Sequence, residues 1–252
     1  MKNLLFYIII GALFASCCDK PELLSNGLTK SVSEINEYIV NLDDESTVLD
    51  TMTHTQKKYN ENDKLIKRVS RTFFDKGQME IDYFYDSNNK IQKEIVTMSD
   101  TTKFTVNYFY KDSLRYQSKA INENETEKFV GIETYFYDNK GNREKSTSSQ
   151  IFVDLISNDT ITNSINTTYY NSDELIESTE SFHKGKSDRN QKRKYEYDCL
   201  TLIKQTVYNH NDSLISIITY EYKLDEYENW TEKKIITDGI AKRKIIRNLK
   251  YK

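Results

Sequence analysis

The stretch Ile81-Asp82-Tyr83-Phe84-Tyr85-Asp86-Ser87-Asn88-Asn89-Lys90-Ile91 decides the fold. Ile81, Tyr83 and Tyr85 fall on alternate positions, the two-residue period of a strand, with Asp82 and Phe84 directed the other way; a helix needs spacings of three and four. Asp86 to Lys90 then supply a polar turn of Asp and Asn, residue types that tolerate the left-handed backbone of tight hairpins. Ile91 reopens the apolar pattern, so eleven residues encode a strand, a turn and the start of a returning strand.

The unit repeats along the chain. Tyr-x-Tyr recurs at Tyr108-Phe109-Tyr110, Tyr135-Phe136-Tyr137, Tyr195-Glu196-Tyr197 and Tyr220-Glu221-Tyr222, with degenerate copies between. Marked by the second tyrosine, the series runs Tyr59, Tyr85, Tyr110, Tyr137, Tyr170, Tyr197, Tyr222 and Tyr251, with separations of 26, 25, 27, 33, 27, 25 and 29 residues. Intervals this even are an internal repeat, and each is long enough for two strands and two connections. In residues 30–59, Val32, Ile35, Ile39 and Leu42 also fit one face of a short helix begun at Ser31. A hairpin with strands near 29–41 and 47–58 is expected instead, because it continues the meander. The fold expected is all-β: an antiparallel meander of about sixteen strands built from two-strand repeats of roughly 26 residues. Twist makes a flat sheet of that size curl, so a strongly curved or half-barrel single sheet is expected, with the tyrosines on its concave face.

Residues 1–20 read MKNLLFYIIIGALFASCCDK: a basic start, an apolar run from Leu4 to Phe14, then small residues before a cysteine pair. This is a secretory signal, with too few apolar residues for a membrane-spanning helix, which needs roughly 20. Phe14-Ala15-Ser16-Cys17 resembles the lipobox of bacterial lipoproteins. That resemblance implies cleavage after residue 16, diacylglycerol on Cys17, and anchoring at the outer membrane on its periplasmic face or at the cell surface. The organisation expected is a signal peptide over 1–16, lipidated cysteine and tether over 17–29, and a β-repeat domain over 30–252. Cys199 is expected to be a free thiol, since one distant cysteine pair makes no disulfide framework.

Tyr-x-Tyr-Asp followed by a short Asn/Gly turn resembles the YD repeat of RHS-type proteins. Asp225-Glu226-Tyr227-Glu228-Asn229-Trp230 resembles the Tyr-Gly-Asn-Trp signature of repeat-bearing Gram-negative lipoproteins, with Glu228 in place of the glycine. The resemblance implies an all-β repeat architecture and no particular activity.

Composition narrows the function classes. The 252 residues hold 36 basic and 39 acidic side chains for a net charge of −3, so nothing advertises a nucleic-acid partner. With seven glycines and one proline, glycine-loop nucleotide sites are disfavoured. His54, His183 and His210 stand apart in polar contexts without metal-ligand spacing. No nucleophile elbow or Walker loop occurs, and the paired acids Asp43-Asp44-Glu45 and Asp225-Glu226 read as turn charges. Neither metal, cofactor nor catalytic residue is therefore assigned. The candidate ligand surface is aromatic: Tyr83, Tyr108, Tyr135, Tyr195 and Tyr220, with Phe84, Phe109 and Phe136 on the opposite face. A phenol offers a ring face and a hydroxyl to a sugar, and the same rings also serve as a core for a sheet poor in Leu and Val. The phenylalanine row is expected to be covered, by the N-terminal strands or by a partner, with cover from within the chain favoured. The role that fits is a binding or scaffold protein of the cell envelope, with a glycan or a protein as partner. A hydrolase with an unrecognised carboxylate site and a purely structural spacer are the competing classes.

Overall fold

The computed structural model describes residues 28, 30–43, 45–100, 102–123, 127–157 and 159–252; residues 1–27, with the signal and Cys17, lie outside them. Sixteen strands follow one another: β1 (Val32–Leu42), β2 (Val48–Tyr59), β3 (Leu65–Thr72), β4 (Gln78–Tyr85), β5 (Ile91–Met98), β6 (Lys103–Lys111), β7 (Leu114–Glu123), β8 (Glu127–Tyr137), β9 (Arg143–Asp154), β10 (Thr160–Tyr170), β11 (Ile176–His183), β12 (Gln191–Asp198), β13 (Thr201–Asn209), β14 (Leu214–Leu224), β15 (Trp230–Thr237) and β16 (Ile240–Tyr251). Each pairs antiparallel with its chain neighbours, and residues 30–59 form the expected hairpin rather than a helix.

The sheet is closed, which corrects the half-barrel expectation. β1 pairs with β16 from Val32↔Tyr251 to Asn41↔Arg243, so no edge is left unpaired. The bend comes from a feature that alternation does not reveal. At nearly every repeat turn the ladder slips by one residue at the marked tyrosine: Lys58/Tyr59, Phe84/Tyr85, Phe109/Tyr110, Phe136/Tyr137, Tyr169/Tyr170 and Glu196/Tyr197. Each slip is a β-bulge, which bends its strand and increases local twist. Spaced through the sheet, the bulges roll it until its first and last strands meet.

Most of the repeat turns share one wiring. In Asn60 to Lys64, Asn60 N–H donates to Lys64 O (2.9 Å) and Asp63 N–H to Asn60 O (3.0 Å), while Asn60 Oδ1 accepts from the N–H of Asn62 and of Lys64, both 3.0 Å. The turns begun by Asp86, Asp138, Asn171, Asn209 and Asp225 repeat it. The fourth turn residue is left-handed, filled by Gly141 in one copy and by Asn89 or Glu228 in others.

The second tyrosine of each pair ties a turn to the one before it. Tyr85 donates to Leu65 O (2.9 Å), Tyr110 to Ile91 O (2.8 Å), Tyr137 to Arg115 O (2.7 Å) and Tyr222 to Leu202 O (2.8 Å). Each acceptor is the first or second residue of the strand leaving the preceding turn. The phenol therefore recurs for its hydroxyl as well as its ring.

The barrel wall is one sheet thick, and its one buried apolar cluster sits at the closure, where Leu28, Val32 and Ile35 pack against Tyr59, Leu249 and Tyr251. Cys199, at the two-residue turn after β12, is disulfide-bonded rather than free.

Candidate functional site

Side chains converge on the inner wall of a cylinder and diverge on the outer wall. The crowded face is the tyrosine face: Ile81, Val96, Ser118, Tyr135, Ser146, Ser164, Gln205 and Val207 share it and are buried. The outward rows hold Thr206 and, near the end of β1, Val40 and Leu42 as their buried members. The inner wall thus carries Tyr83, Tyr108, Tyr135, Tyr195 and Tyr220. Sixteen strands about 4.8 Å apart and tilted enclose a circle roughly 30 Å across between backbones, wide enough for an aqueous lumen.

Each of these first tyrosines has a polar side-chain neighbour on the same wall, Arg68 in the case of Tyr83. Tyr108 donates to Glu94 (2.7 Å), Tyr135 to Glu133 (2.5 Å) and Tyr220 to Gln205 (2.8 Å), while the Tyr195 hydroxyl lies 3.3 Å from Thr179 Oγ1. Burial pushes the Tyr83 phenol up to about 12, and burial together with the accepting carboxylates raises Tyr108 and Tyr135 as well. These phenols are neutral donors throughout the physiological range.

Guanidinium groups lie between the rings. Arg115 sits 5.1 Å from the Tyr108 centroid and 4.4 Å from that of Tyr135, and Arg143 lies 5.9 Å from Tyr135 and 4.6 Å from Tyr170. The result is a ladder, Tyr108–Arg115–Tyr135–Arg143–Tyr170, running across β6 to β10. Arg143 Nε is buried without a hydrogen-bond partner.

A second group forms where the barrel closes. Glu37 Oε2 accepts from Arg247 Nε at 2.9 Å and lies 3.6 Å from Lys57 Nζ. Lys57 faces Arg68 directly across the β2–β3 ladder. Arg247 stacks 3.3 Å over the ring of Trp230, and Lys233 lies 4.3 Å over Tyr220. Burial disfavours the Glu37 carboxylate, but the charges of Lys57 and Arg247 outweigh it and hold the group below its ordinary value. Burial lowers Lys57, Lys233 and Arg247; neighbouring cations add to the effect at Lys57 and Lys233, and Glu37 opposes it at all three.

The outer wall has a different chemistry. Its ion pairs include Lys204–Glu196 (2.8 Å), Lys244–Glu232 (3.0 Å), Lys192–Glu180 (3.2 Å) and Lys234–Glu221 (3.9 Å). Phe84, Phe109 and Phe136 point outward at 39%, 38% and 42% exposure. Among the described residues no strand covers them, because β1 and β2 complete the wall instead; Lys93 and Lys145 lie 5.0 and 4.7 Å from the Phe84 and Phe136 rings. The sequence-derived set is thus split, with its tyrosines inside and its phenylalanines outside.

Sequence reasoning missed the inner arginines, Glu37 and Trp230. The signal available was position: Arg115 and Arg143 stand just past the repeat turns, and Arg68, Arg115, Arg143, Arg193, Arg243 and Arg247, six of the eight arginines, share the tyrosine face, while lysines dominate the outer wall. His54 stacks on Tyr38 at 4.5 Å, and no group of three His, Cys, Asp or Glu suited to a metal occurs among the described residues.

No protein-family model and no curated protein matches the chain. Solved structures do match. A porin-like protein from Bacteroides uniformis is 10% identical with a TM-score of 0.55, over 87% of this chain and 98% of that one. A porin-like protein from Bacteroides vulgatus is 12% identical with a TM-score of 0.53, over 88% and 99%. At these identities the likeness is one of fold. It corrects the YD-repeat assignment: the neighbours are porin-like proteins sharing the closed sixteen-strand barrel, and no YD or RHS family is shown.

Proposed function

We propose that this chain is a cell-envelope binding protein, anchored by lipid at Cys17, whose barrel stands in water and holds its ligand in the lumen. One observation carries the reading: lysine–glutamate pairs are spread over the outer wall, beside exposed apolar side chains such as Phe84, Ile165 and Phe182, whereas tyrosine and arginine line the inner one. A barrel immersed in a bilayer presents an apolar band about 25 Å tall, and each lysine at mid-height costs about 2–4 kcal/mol there. Lys204, Lys234 and Lys244 lie well inside their strands on the outward face, with Lys67 and Lys192 nearer the ends of theirs. The porin-like fold is therefore read here as a water-filled container held at the membrane surface rather than a pore through it. Among the described residues no helix is long and apolar enough to cross a membrane, which by itself leaves crossing by strands open.

Of the ligands in view, an extended glycan suits the inner wall best. Phenol faces stack on sugar rings, and guanidinium and phenol hydroxyl groups donate to sugar oxygens. The reading assigns no catalytic step, metal or nucleic acid.

The test compares the native chain with a version secreted by an ordinary cleavable signal fused ahead of Asp19. The native protein is expected to incorporate radiolabelled palmitate and fractionate with membranes. The unlipidated version is expected to stay monodisperse in detergent-free buffer and to leave planar bilayers non-conducting. A detergent requirement or channel conductance for the unlipidated barrel would overturn the reading.

A further inference from the structure

We infer that the closing seam of the barrel, at Lys57, Arg68, Lys233 and Arg247, is an anion-binding site that takes the acidic group of a negatively charged saccharide in the lumen. The inference rests on the lumen being the binding surface, and adds the class of ligand and the place where its charge is held.

The geometry is one of unbalanced charge. Two of the four cations, Arg247 and Lys57, share one carboxylate through the same atom, Glu37 Oε2. Arg68 and Lys57 occupy directly opposed positions across β2 and β3, an arrangement of like charges that is unfavourable in an antiparallel pair. Arg68 is met by Ser70 Oγ at 3.3 Å and by the Tyr83 hydroxyl, both neutral. Lys233 faces Ile245 across the ladder and, among the described residues, makes no ion pair, lying instead over the rings of Tyr220 and Tyr222.

The outer wall shows how such a conflict is settled where solvent is open. Lys58 and Lys67 also face each other there, but Lys67 is held by Glu80 and Asp82. Among the described residues no carboxylate forms an ion pair with Lys233 or Arg68 on the inner wall. An incoming oxyanion would fill that place, accepting charge-assisted hydrogen bonds from guanidinium and ammonium together.

The aromatic surroundings select an acidic saccharide over a bare ion. Trp230 lies against Arg247, edge-on to Tyr222 at 6.1 Å, and Tyr59 stands at the foot of the same wall. A sugar ring stacked on one of these faces would place a carboxylate or sulfate substituent within reach of the cations. Carboxylate and sulfate share this chemistry, so either form of acidic sugar satisfies it.

The chain holds a single tryptophan, and it touches the site, so fluorescence reports occupancy directly. The full lipidated protein in mild detergent would be titrated with trigalacturonate, a neutral galactose trisaccharide, sodium sulfate and inorganic phosphate. The expected result is a saturable Trp230 signal for trigalacturonate. It should weaken about tenfold or more in Lys233→Met and in Arg68→Met, and tighten in Glu37→Gln, which keeps the volume and removes the competing charge. Circular dichroism of each variant separates loss of binding from loss of fold. Binding of the neutral trisaccharide with no response to any anion would overturn this inference and leave the lumen reading standing. Sulfate or phosphate binding as tightly as trigalacturonate, an inorganic anion only, would overturn the saccharide. Silence towards all four probes in a folded protein would defeat both readings.

Discussion

Across β5 to β10 the inner charges are answered by the repeat, apart from the buried Arg143 Nε, which has no hydrogen-bond partner. Guanidinium groups lie between phenols, and Glu94 and Glu133 accept phenol hydroxyls. At the seam of β15, β16, β1, β2 and β3 the balance fails: Lys57 and Arg247 share the one carboxylate Glu37, while Arg68 faces Lys57 and Lys233 lies over Tyr220 and Tyr222. Yet the seam is also where the chain keeps its best apolar packing, Leu28, Val32 and Ile35. The difference teaches that the repeat is a self-sufficient wall, and that the place where the wall is joined carries charge the fold does not need. That charge is held at a cost, offset beside it by apolar burial.

The sharpest break of this contrast is to remove the carboxylate from each region. Glu37→Ala leaves Lys57 and Arg247 facing each other without a counter-ion and is expected to cost about 3 kcal/mol by urea unfolding. Glu94→Ala removes one hydroxyl–carboxylate hydrogen bond on the balanced wall and is expected to cost about 1 kcal/mol. Equal costs would erase the distinction between the two regions. Added sulfate should recover part of the Glu37→Ala loss and none of the Glu94→Ala loss, because an anion binding only the folded form stabilises it.

Next in size is the tyrosine tie between turns. Tyr85→Phe keeps the ring and removes the donor to Leu65 O, for an expected loss of about 1 kcal/mol. The same phenols set an alkaline limit. Burial raises Tyr83 and Tyr222 from the ordinary 10.0 to about 12, so between those values the folded state holds protons that the unfolded chain has released. Stability from this source is complete below pH 10 and is lost as pH rises towards 12. Tyrosinate absorbance is therefore expected to grow together with loss of the β-sheet dichroism. Ionisation of these tyrosines well before unfolding would place them in open solvent rather than on a crowded wall.

Much of the wall was legible because its period is local. Ile81, Tyr83 and Tyr85 declare a strand by alternation, and Asp86 to Lys90 declare a turn by residue type. The closure was not legible, because it depends on a bulge at most of the marked tyrosines and on pairing between residues some 200 positions apart, such as Glu37 with Arg247. The tyrosine half of the candidate site could be read as a face without knowing which face of what. Its cations could not: Lys57, Arg68 and Arg247 look like ordinary polar positions until the first and last strands meet.

The smallest expected effect tests how far the turns are shaped by the repeat alone. Glu228 holds the left-handed position of its turn at φ 61, where Gly141 stands at φ 87 in the sister turn. A side chain there strains against the backbone, and Glu228 is exposed, so its replacement removes no buried contact. Glu228→Gly relieves the strain but frees the unfolded chain, two effects of opposite sign. The strain relief, about 1 kcal/mol, is the larger, and a net gain of roughly 0.5 kcal/mol is expected in thermal unfolding. A net loss would mean that Glu228 is held by a contact outside its own turn. Because the turn lies at the foot of β15, that contact would belong to the seam rather than to the repeat.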